Sequence, residues 1–158
     1  MNLRIGFGFD THKLVEDHQF WLGGVKITHS KGAIGHSDAD VLIHAICDAL
    51  LGAAGLRDIG FHFPDTNDEY KGIDSKILLK LTLELLKEKQ MSINNIDSTI
   101  VLQSPKISEY IPEMIQTLVP ILEISEEQLS IKAKTSEKLG FIGREEGVSA
   151  HAVALLSQ

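Results

Sequence analysis

The sequence has little cysteine and little positive charge. Its 158 residues include one cysteine, Cys47, so an internal disulfide is excluded and nothing points to secretion. Lys and Arg number 15 against 22 Asp and Glu, and the net charge of −7 argues against non-specific nucleic-acid binding, which requires a basic face. A phosphorylated small molecule is compatible with this charge, because local donors and metal ions bind phosphate on acidic proteins too.

Long apolar runs are also missing. No stretch approaches the ~20 residues that a membrane span needs, and residues 1–6 lack the apolar segment of a signal peptide. We therefore expect a cytoplasmic protein with no membrane partner. The sequence contains no linker, repeat or low-complexity run, so residues 1–158 are expected to form a single domain.

The apolar patterning predicts a mixture of strands and helices. The predicted strands cover residues 3–9, 20–22, 25–28, 96–102, 129–135 and 147–156, and the predicted helices cover 38–51, 74–90 and 108–122. Ser37 is expected to cap the first helix, with Asp40 as the carboxylate of a capping box. This order of elements favours an α+β fold, in which helices cover one face of a mixed sheet. Residues 52–71 show no period, and so long a connection is typical of a functional loop.

Two segments carry residues suited to metal binding. Asp10 and His12 lie two residues apart at the end of the first strand, so their side chains point to the same side. His44 lies in the first helix with Asp40 and Asp48 one turn to either side, and such an acid can orient a metal-binding imidazole. The alternative is a surface histidine with solvated neighbours. Together Asp10, His12 and His44 suit Zn²⁺ with one open position, although Mn²⁺, Fe²⁺ or Co²⁺ also accept this set.

Two further segments are polar and rich in turn residues. Residues 58–66 offer carboxylates, a hydroxyl and permissive backbone for the hydroxyl groups of a polyol, or alternatively form an Asx-type turn around Pro64. Residues 132–144 combine hydroxyls and backbone N–H groups with Arg144, which is expected beside Glu137. That combination suits phosphate and Mg²⁺, although a polar turn with a solvated charge pair is the alternative.

Five ordered motifs cover essentially the whole chain. They are Arg4-Ile5-Gly6-Phe7-Gly8-Phe9-Asp10-Thr11-His12, residues 36–45 (HSDADVLIHA), residues 58–60 (DIG) with 63–66 (FPDT), residues 103–106 (QSPK) and residues 137–147 (EKLGFIGREEG). On these motifs the chain resembles the 2-C-methyl-D-erythritol 2,4-cyclodiphosphate synthases. The resemblance implies a phosphorus–oxygen lyase of the non-mevalonate isoprenoid precursor pathway. Its substrate is 4-diphosphocytidyl-2-C-methyl-D-erythritol 2-phosphate, whose 2-phosphate attacks the β-phosphorus to give the cyclic diphosphate and CMP.

The resemblance also implies metal and catalytic roles. The residues expected to hold Zn²⁺ are Asp10, His12 and His44. Glu137 is expected to help hold a second ion, Mg²⁺ or Mn²⁺, that bridges the substrate diphosphate. His36 and Thr135 match positions that stabilise the transition state. No serine or cysteine is required as a nucleophile.

The substrate-binding positions implied by the resemblance fall into two groups. Those of the metal and erythritol side are Asp10, His12, His36, Ser37, Asp58, Ile59, Gly60, Phe63, Pro64, Asp65, Thr66 and Asn67. Those of the cytidine and phosphate side are Leu102, Gln103, Ser104, Pro105, Lys106, Ile107, Ser108, Lys134, Thr135, Ser136, Glu137, Phe141 and Arg144. The family is a homotrimer with active sites between subunits, and Phe9, Arg144 and Glu146 match a cavity on the trimer axis where an isoprenoid diphosphate binds in some members.

A few positions depart from the family pattern. Lys134 stands where threonine is common, and Asn67 stands where aspartate is common. Leu102 and Ser108 replace the commoner alanine and leucine. We expect these changes to affect substrate affinity rather than the class of reaction.

Two other functions are compatible with the same residues. A zinc-dependent phosphohydrolase would use the metal to activate water and release inorganic phosphate or an open product. A non-catalytic module would bind a diphosphate without turnover.

Overall fold

The protein is described from a computed structural model over residues 2–158, so the first residue of the predicted domain 1–158 lies outside the description. The strands are β1 (Leu3–Glu16), β2 (Phe20–Leu22), β3 (Val25–Ile27), β4 (Lys31–Ile34), β5 (Ser92–Val101), β6 (Leu129–Lys134) and β7 (Gly147–Ser157). The α-helices are α1 (Val41–Ala53), α2 (Ile59–His62), α3 (Ser75–Glu88), α4 (Ile111–Leu122) and α5 (Gly140–Gly143). Single 3₁₀ turns lie at Asp68–Tyr70, Ser108–Tyr110 and Glu126–Gln128.

Five strands form one mixed sheet in the order β4-β1-β7-β5-β6. Only β5 and β6 run parallel, and the other neighbours in this sheet are antiparallel. Strands β2 and β3, both predicted, pair antiparallel as a hairpin. The α+β architecture with a mixed sheet is therefore confirmed.

The first strand is longer than its apolar pattern indicates. It was expected to end at Phe9, but β7 pairs with it from Leu3 to Lys13 and β4 pairs with it from Lys13 to Glu16. These ladders hold the polar second half extended. The partner strand β4 was not predicted, because four residues without alternation carry too weak a signal.

The helices cover one face of the sheet, as predicted. Helix α1 is buried along almost its whole length, because it lies between the sheet and α3. On the opposite face, β1 exposes Leu3, Ile5, Phe7 and Phe9. Each of these four side chains is about half exposed or more, so an apolar sheet face is uncovered in the single chain.

Two glycines set the distance between α1 and the sheet. A Cβ on Gly6 would lie 1.9 Å from the carbonyl oxygen of Ala49, and a Cβ on Gly8 would lie 1.9 Å from that of Ala45. Any side chain here would collide with helix backbone. The helix therefore lies directly against the backbone of β1.

Two predicted helix boundaries need correction. Helix α1 begins at Val41 and not at residue 38, and its N-cap is Asp40, whose carboxylate accepts the backbone N–H of Ile43 at 3.1 Å. Ser37 is thus not the cap. The predicted helix 108–122 divides into a 3₁₀ turn and α4, with Pro112 in the first turn of α4, where its missing N–H is not needed. Within residues 2–158, no helix combines the length and hydrophobicity that crossing a bilayer requires.

Candidate metal and substrate site

Three predicted metal ligands converge on one point. The Asp10 Oδ2 atom lies 2.9 Å from His12 Nε2 and 2.9 Å from His44 Nδ1. The two imidazole nitrogens are 3.1 Å apart. Ligand atoms of one tetrahedral Zn²⁺, each bonded at about 2.0–2.1 Å, lie roughly 3.3 Å from one another. One oxygen and two nitrogen donors at this spacing fit a divalent ion, so the predicted grouping is confirmed.

The convergence follows from the alternation of β1 and the two glycines. Even-numbered residues of β1 face α1, first as Gly6 and Gly8 and then as Asp10 and His12. The glycines bring α1 against the strand, and His44 lies in the first turns of that helix. The carboxylate and both imidazoles therefore meet where the contact between strand and helix ends.

The charges of the three groups support one another. Burial acts to raise the pKa of Asp10, but hydrogen bonds and charge from His12 and His44 outweigh it and hold the pKa well below its usual range. Burial acts to lower the pKa of His44, yet its hydrogen bond with Asp10 and the nearby carboxylates raise it above its ordinary value. Asp10 is therefore ionised and able to bind a cation at neutral pH.

The predicted orienting acids do not contact the His44 ring. In the described chain, the hydrogen-bond partners of His44 Nε2 are Ser75 Oγ at 2.9 Å and Ser37 Oγ at 3.0 Å. Asp40 caps the helix instead. Asp48 accepts a backbone N–H from the following loop at 2.7 Å. The interpretation of Asp40 and Asp48 as orienting acids was wrong, because Asp40 accepts three backbone N–H groups and Asp48 accepts that of Ile59, while the ring nitrogen is bonded by the two serines.

A pocket of about 330 Å³ opens beside the three ligands. Its lining joins the metal ligands to the 58–66 loop and consists of His12, His36, Ser37, His44, Ile59, Gly60, Phe63, Asp65, Tyr70, Ile73 and Leu78. Four residues at or behind this pocket were not predicted from the sequence: Tyr70, Ile73, Leu78 and the buried Ser75. The start of α3, marked by its N-cap Asp74, was the signal that could have pointed to Ser75.

The loop before α3 contains more local structure than its sequence indicates. The Asp58 side chain caps the short helix α2 by accepting the N–H of Phe61 at 2.9 Å. Asn67 accepts the N–H of Glu69 at 3.0 Å and so caps the next 3₁₀ turn. Asx-type contacts therefore occur at both ends of the loop, and not around Pro64, where the alternative interpretation expected one. They leave Asp65 exposed between the two caps.

The second group of predicted residues lies at the carboxyl ends of the parallel strands β5 and β6. The N–H of Leu102 donates to the carbonyl of Lys134 at 2.9 Å, which joins residues 102–108 to residues 134–137. Leu102 and Ile107 are buried and anchor the first segment, while Lys106 is exposed.

The position of Glu137, the acidic residue of this group, is determined by the local backbone conformation. Glu137 and Lys138 have φ angles of 54° and 62°, in the left-handed region. Thr135 Oγ1 donates to Glu137 Oε1 at 3.2 Å. The left-handed conformation costs about 1–2 kcal/mol per residue. It presents an exposed carboxylate beside an exposed hydroxyl.

Arg144 does not lie beside Glu137 as the sequence suggested. Its Nε and Nη2 atoms each donate to a Glu146 carboxylate oxygen at 3.0 Å. Phe141 lies in the short helix α5, and a Cβ on Gly147 would contact its ring. The residues predicted near the trimer axis are thus paired with each other, and Phe9 packs against His151 with ring centroids 5.0 Å apart.

The two groups are separated within one chain. His12 pairs with Val148 on β7, Ser149 pairs with Val101 on β5, and Val101 pairs with Lys134 on β6. Three strand spacings, or about 14 Å, therefore separate the metal ligands from Lys134 and Thr135. Among residues 2–158, the lining of the metal-side pocket includes none from 102–108 or 134–137.

Comparisons with known proteins agree with this geometry. A protein from Bacteroides thetaiotaomicron named 2-C-methyl-D-erythritol 2,4-cyclodiphosphate synthase is 58% identical over 158 residues, which is 100% of this chain and 99% of that protein. The solved complex of IspF from Plasmodium falciparum with CDP is 39% identical with a TM-score of 0.85, over 98% of this chain and 96% of that chain. The bifunctional IspDF from Campylobacter jejuni gives 40% identity and a TM-score of 0.94, but this chain spans only 42% of its length. The YgbB family profile matches residues 3–157, and the chain belongs to the YgbB family.

Proposed function

We propose that the protein converts 4-diphosphocytidyl-2-C-methyl-D-erythritol 2-phosphate to 2-C-methyl-D-erythritol 2,4-cyclodiphosphate and CMP. The observation that carries the proposal is the convergence of Asp10, His12 and His44 at the mouth of a pocket, in a chain 58% identical to a synthase of that name over its full length. An oxygen of the 2-phosphate attacks the β-phosphorus, and the bond from that phosphorus to CMP breaks. Catalysis of such an intramolecular transfer consists mainly of positioning and charge stabilisation.

The metal-side residues have chemically suited roles in this reaction. A Zn²⁺ held by Asp10, His12 and His44 supplies a Lewis acid for phosphate oxygens when it is bound. His36 lines the same pocket, with Nε2 3.3 Å from the carbonyl of Asn67, and donates a hydrogen bond to the transferring phosphoryl group. The substrate-binding residues predicted on the metal side, from Ser37 to Asn67, are proposed to hold the erythritol and its 2-phosphate.

The cytidine-side residues complete the proposal. Thr135 donates a hydrogen bond from its hydroxyl to the β-phosphate, and Glu137 would help hold a Mg²⁺ or Mn²⁺ ion, which would neutralise the charge of the diphosphate. Backbone groups of residues 102–108 recognise the cytosine base through hydrogen bonds. The exposed carboxylate and hydroxyl at the end of β6 support these roles.

We further propose a homotrimer in which the metal side of one subunit faces the cytidine side of the next. Two observations support it: the about 14 Å separation of the two sides within one chain, and the uncovered apolar face that β1 presents through Phe7 and its neighbours. An isoprenoid diphosphate on the trimer axis would lie near Phe9, Arg144 and Glu146. Residues 1–158 act as one synthase domain in the cytoplasm.

A product assay tests the reaction. The purified protein is incubated with the cytidylyl substrate, Zn²⁺ and Mg²⁺, and the products are followed by ³¹P NMR. We expect stoichiometric cyclic diphosphate and CMP, with formation abolished by chelation. Free phosphate or an open-chain diphosphate would instead identify a hydrolase, and bound metal without turnover would identify a binding module.

A complementation assay tests the shared site. The variants His44→Ala and Thr135→Ala each disable one side, and the two chains are co-expressed and purified together. In a closed ring with sites between neighbours, about one site in four then combines two intact sides, so activity returns. A site contained in one chain would give no activity above that of either variant alone.

A further inference from the structure

A buried hydroxyl and a carboxylate lie behind the His44 ring, on the side away from Asp10. Ser75 is fully buried at the first turn of α3, and its Oγ lies 2.9 Å from His44 Nε2. The same hydroxyl donates to Asp38 Oδ1 in a short hydrogen bond. Asp38 Oδ2 accepts the backbone N–H of Ser75 at 3.0 Å. A carboxylate, a hydroxyl and an imidazole therefore form one chain of hydrogen bonds that ends at the metal position.

The positions of the protons in this series of hydrogen bonds are determined by the groups that can only accept. Asp38 accepts only, so the Ser75 hydroxyl must direct its proton to Asp38. The lone pairs of Ser75 Oγ are then free to accept, and His44 must donate from Nε2. A neutral imidazole that carries its proton on Nε2 has its lone pair on Nδ1. In the structure Nδ1 hydrogen-bonds Asp10 Oδ2 at 2.9 Å, and a metal bound by the group would replace the Nδ1 proton and take this lone pair while Nε2 keeps its own proton.

The Asp38 carboxylate, at one end of this series of hydrogen bonds, is itself held in place by backbone contacts. Asp38 Oδ1 also accepts the backbone N–H of Asp40 at 3.1 Å. The N–H of Asp38 donates to the carbonyl of Ile73 at 3.0 Å, and the N–H of Gly72 donates to the carbonyl of His36 at 2.7 Å. These backbone bonds join the segment before α1 to the segment before α3. Asp38 and Ser75 thus have one arrangement relative to the helix that carries His44.

We propose that Ser75, held by Asp38, is a positioning residue that fixes the ring orientation and tautomer of His44 so that Nδ1 faces the metal. The inference rests on the proposed metal-dependent function. Ser37, whose hydroxyl lies 3.0 Å from the same nitrogen and 3.3 Å from Ser75 Oγ, also lines the substrate pocket. Ser75 is fully buried and is not among the lining residues, so it acts through the side chains it contacts, of which His44 is the metal ligand. Partners of this kind typically change metal affinity or activity by about 10–100-fold when removed.

The test compares Ser75→Ala with wild type and with Ser98→Ala. Ser98 is an equally buried serine, and its hydroxyl donates to the carbonyl of Ser130 on the adjacent strand β6, so it controls for loss of a buried hydroxyl. Co²⁺ titration of the metal-free protein measures affinity. Histidine-selective ¹⁵N NMR of the zinc-loaded protein measures protection of the His44 Nε2 proton from solvent exchange.

We expect Ser75→Ala to bind Co²⁺ about 10-fold more weakly and to lose the protected Nε2 proton. Its kcat should recover at saturating metal while KM for the substrate stays unchanged. Asp38→Asn, which keeps an acceptor for Ser75 without the charge, should show a smaller loss. Ser98→Ala should match wild type in all of these measurements.

Two results separate the failure of this inference from the failure of the proposed function. Unchanged Co²⁺ affinity and an unchanged Nε2 proton in Ser75→Ala, with wild type binding Co²⁺, would overturn the positioning role alone. Wild type that binds no Co²⁺ would overturn the metal site. In that case the ring resonances of the metal-free protein still report whether Ser75 fixes the tautomer of His44.

Discussion

The metal side and the cytidine side of the candidate site are built in opposite ways. The metal side consists of mostly buried side chains that contact one another at 2.9–3.1 Å, namely Asp10, His12 and His44. On the cytidine side, Thr135 and Glu137 are exposed and contact chiefly each other. The first is preorganised within one chain, whereas the second presents groups to solvent.

This contrast indicates which side of the candidate site can bind its ligand within a single subunit. A buried, mutually hydrogen-bonded ligand set holds its geometry before any ion or substrate arrives, so it should bind metal in a single subunit. Exposed donors at the ends of two parallel strands gain a fixed environment only when another surface covers them.

Removing one metal ligand should have the largest effect. His44→Ala is expected to lose bound Zn²⁺ and to lower kcat by at least ~1000-fold, because Lewis-acid stabilisation is worth several kcal/mol. Metal content and turnover are measured on the same preparation. The control His18→Ala removes an exposed histidine whose ring hydrogen-bonds the carbonyl of Glu16, far in sequence from the proposed ligands of the metal, and it should retain both. Full activity of metal-free His44→Ala would remove the triad from the mechanism.

Disturbing the contact that builds the metal side should destabilise the whole domain. Gly8→Ala forces a Cβ to within 1.9 Å of a helix carbonyl, and we expect a loss of about 3 kcal/mol or more. The Tm should then fall by at least about 6 °C. Gly52→Ala is the matched control, because the nearest atom to its Cβ is 4.0 Å away and alanine favours the helix. Equal Tm values for the two variants would contradict the close contact between β1 and α1.

Changing the exposed carboxylate of the cytidine side should have a smaller and more specific effect. Glu137→Gln is expected to raise the Mg²⁺ concentration for half-maximal activity by about 10-fold, since one charged ligand becomes a weaker neutral one. Zn²⁺ content should not change. Glu127→Gln, an exposed position in the last 3₁₀ turn, serves as the control. Unchanged Mg²⁺ dependence would exclude Glu137 from metal binding.

The smallest predicted effect concerns Asp48, which joins α1 to the substrate loop. Burial raises its pKa, and the charges of Asp58 and Asp10 add to the increase. A pKa raised in the folded state means that the folded protein binds the proton more tightly, so ionised Asp48 lowers stability at neutral pH. Asp48→Asn keeps the oxygen that accepts the loop N–H and should therefore raise the Tm at pH 7.

The gain should disappear as the pH falls below the pKa of an unfolded aspartate, about 3.9, where wild-type Asp48 is protonated as well. Calorimetry from about pH 3 to pH 8 measures the difference, and each 1 kcal/mol shifts the Tm of a domain of this size by about 2–4 °C. Asp17→Asn, on the exposed turn after β1, serves as the control. A pH-independent gain in Asp48→Asn would indicate a packing effect instead.

The sequence predicted the metal side better than the contacts that support it. Asp10 and His12 could be placed together because strand alternation is local, and His44 joined them through helix periodicity and the family motifs. The orienting partner of His44 was assigned to Asp40 and Asp48, which are near in sequence. The structure places Ser75 there, 31 residues away, through a backbone junction that no periodicity records.

Elements without a strong pattern were also missed. Strand β4 and the second half of β1 are polar or short, and they are extended because of ladder pairing with each other and with β7. Turn chemistry predicted Glu137 as the partner of Arg144. Instead the turn that follows α5, with Glu145 in the left-handed region, brings Glu146 to the guanidinium.

The substrate loop is fastened at both ends, and this reduces the entropy that substrate binding must overcome. Asp48 holds the N–H of Ile59 at one end, and the bond from Gly72 to His36 closes the other. The free span is therefore residues 60–71 and not the whole connection from α1 to α3. Because the two ends are already joined, ordering this span on binding carries no further cost of loop closure. More of the energy of each substrate contact then appears as affinity.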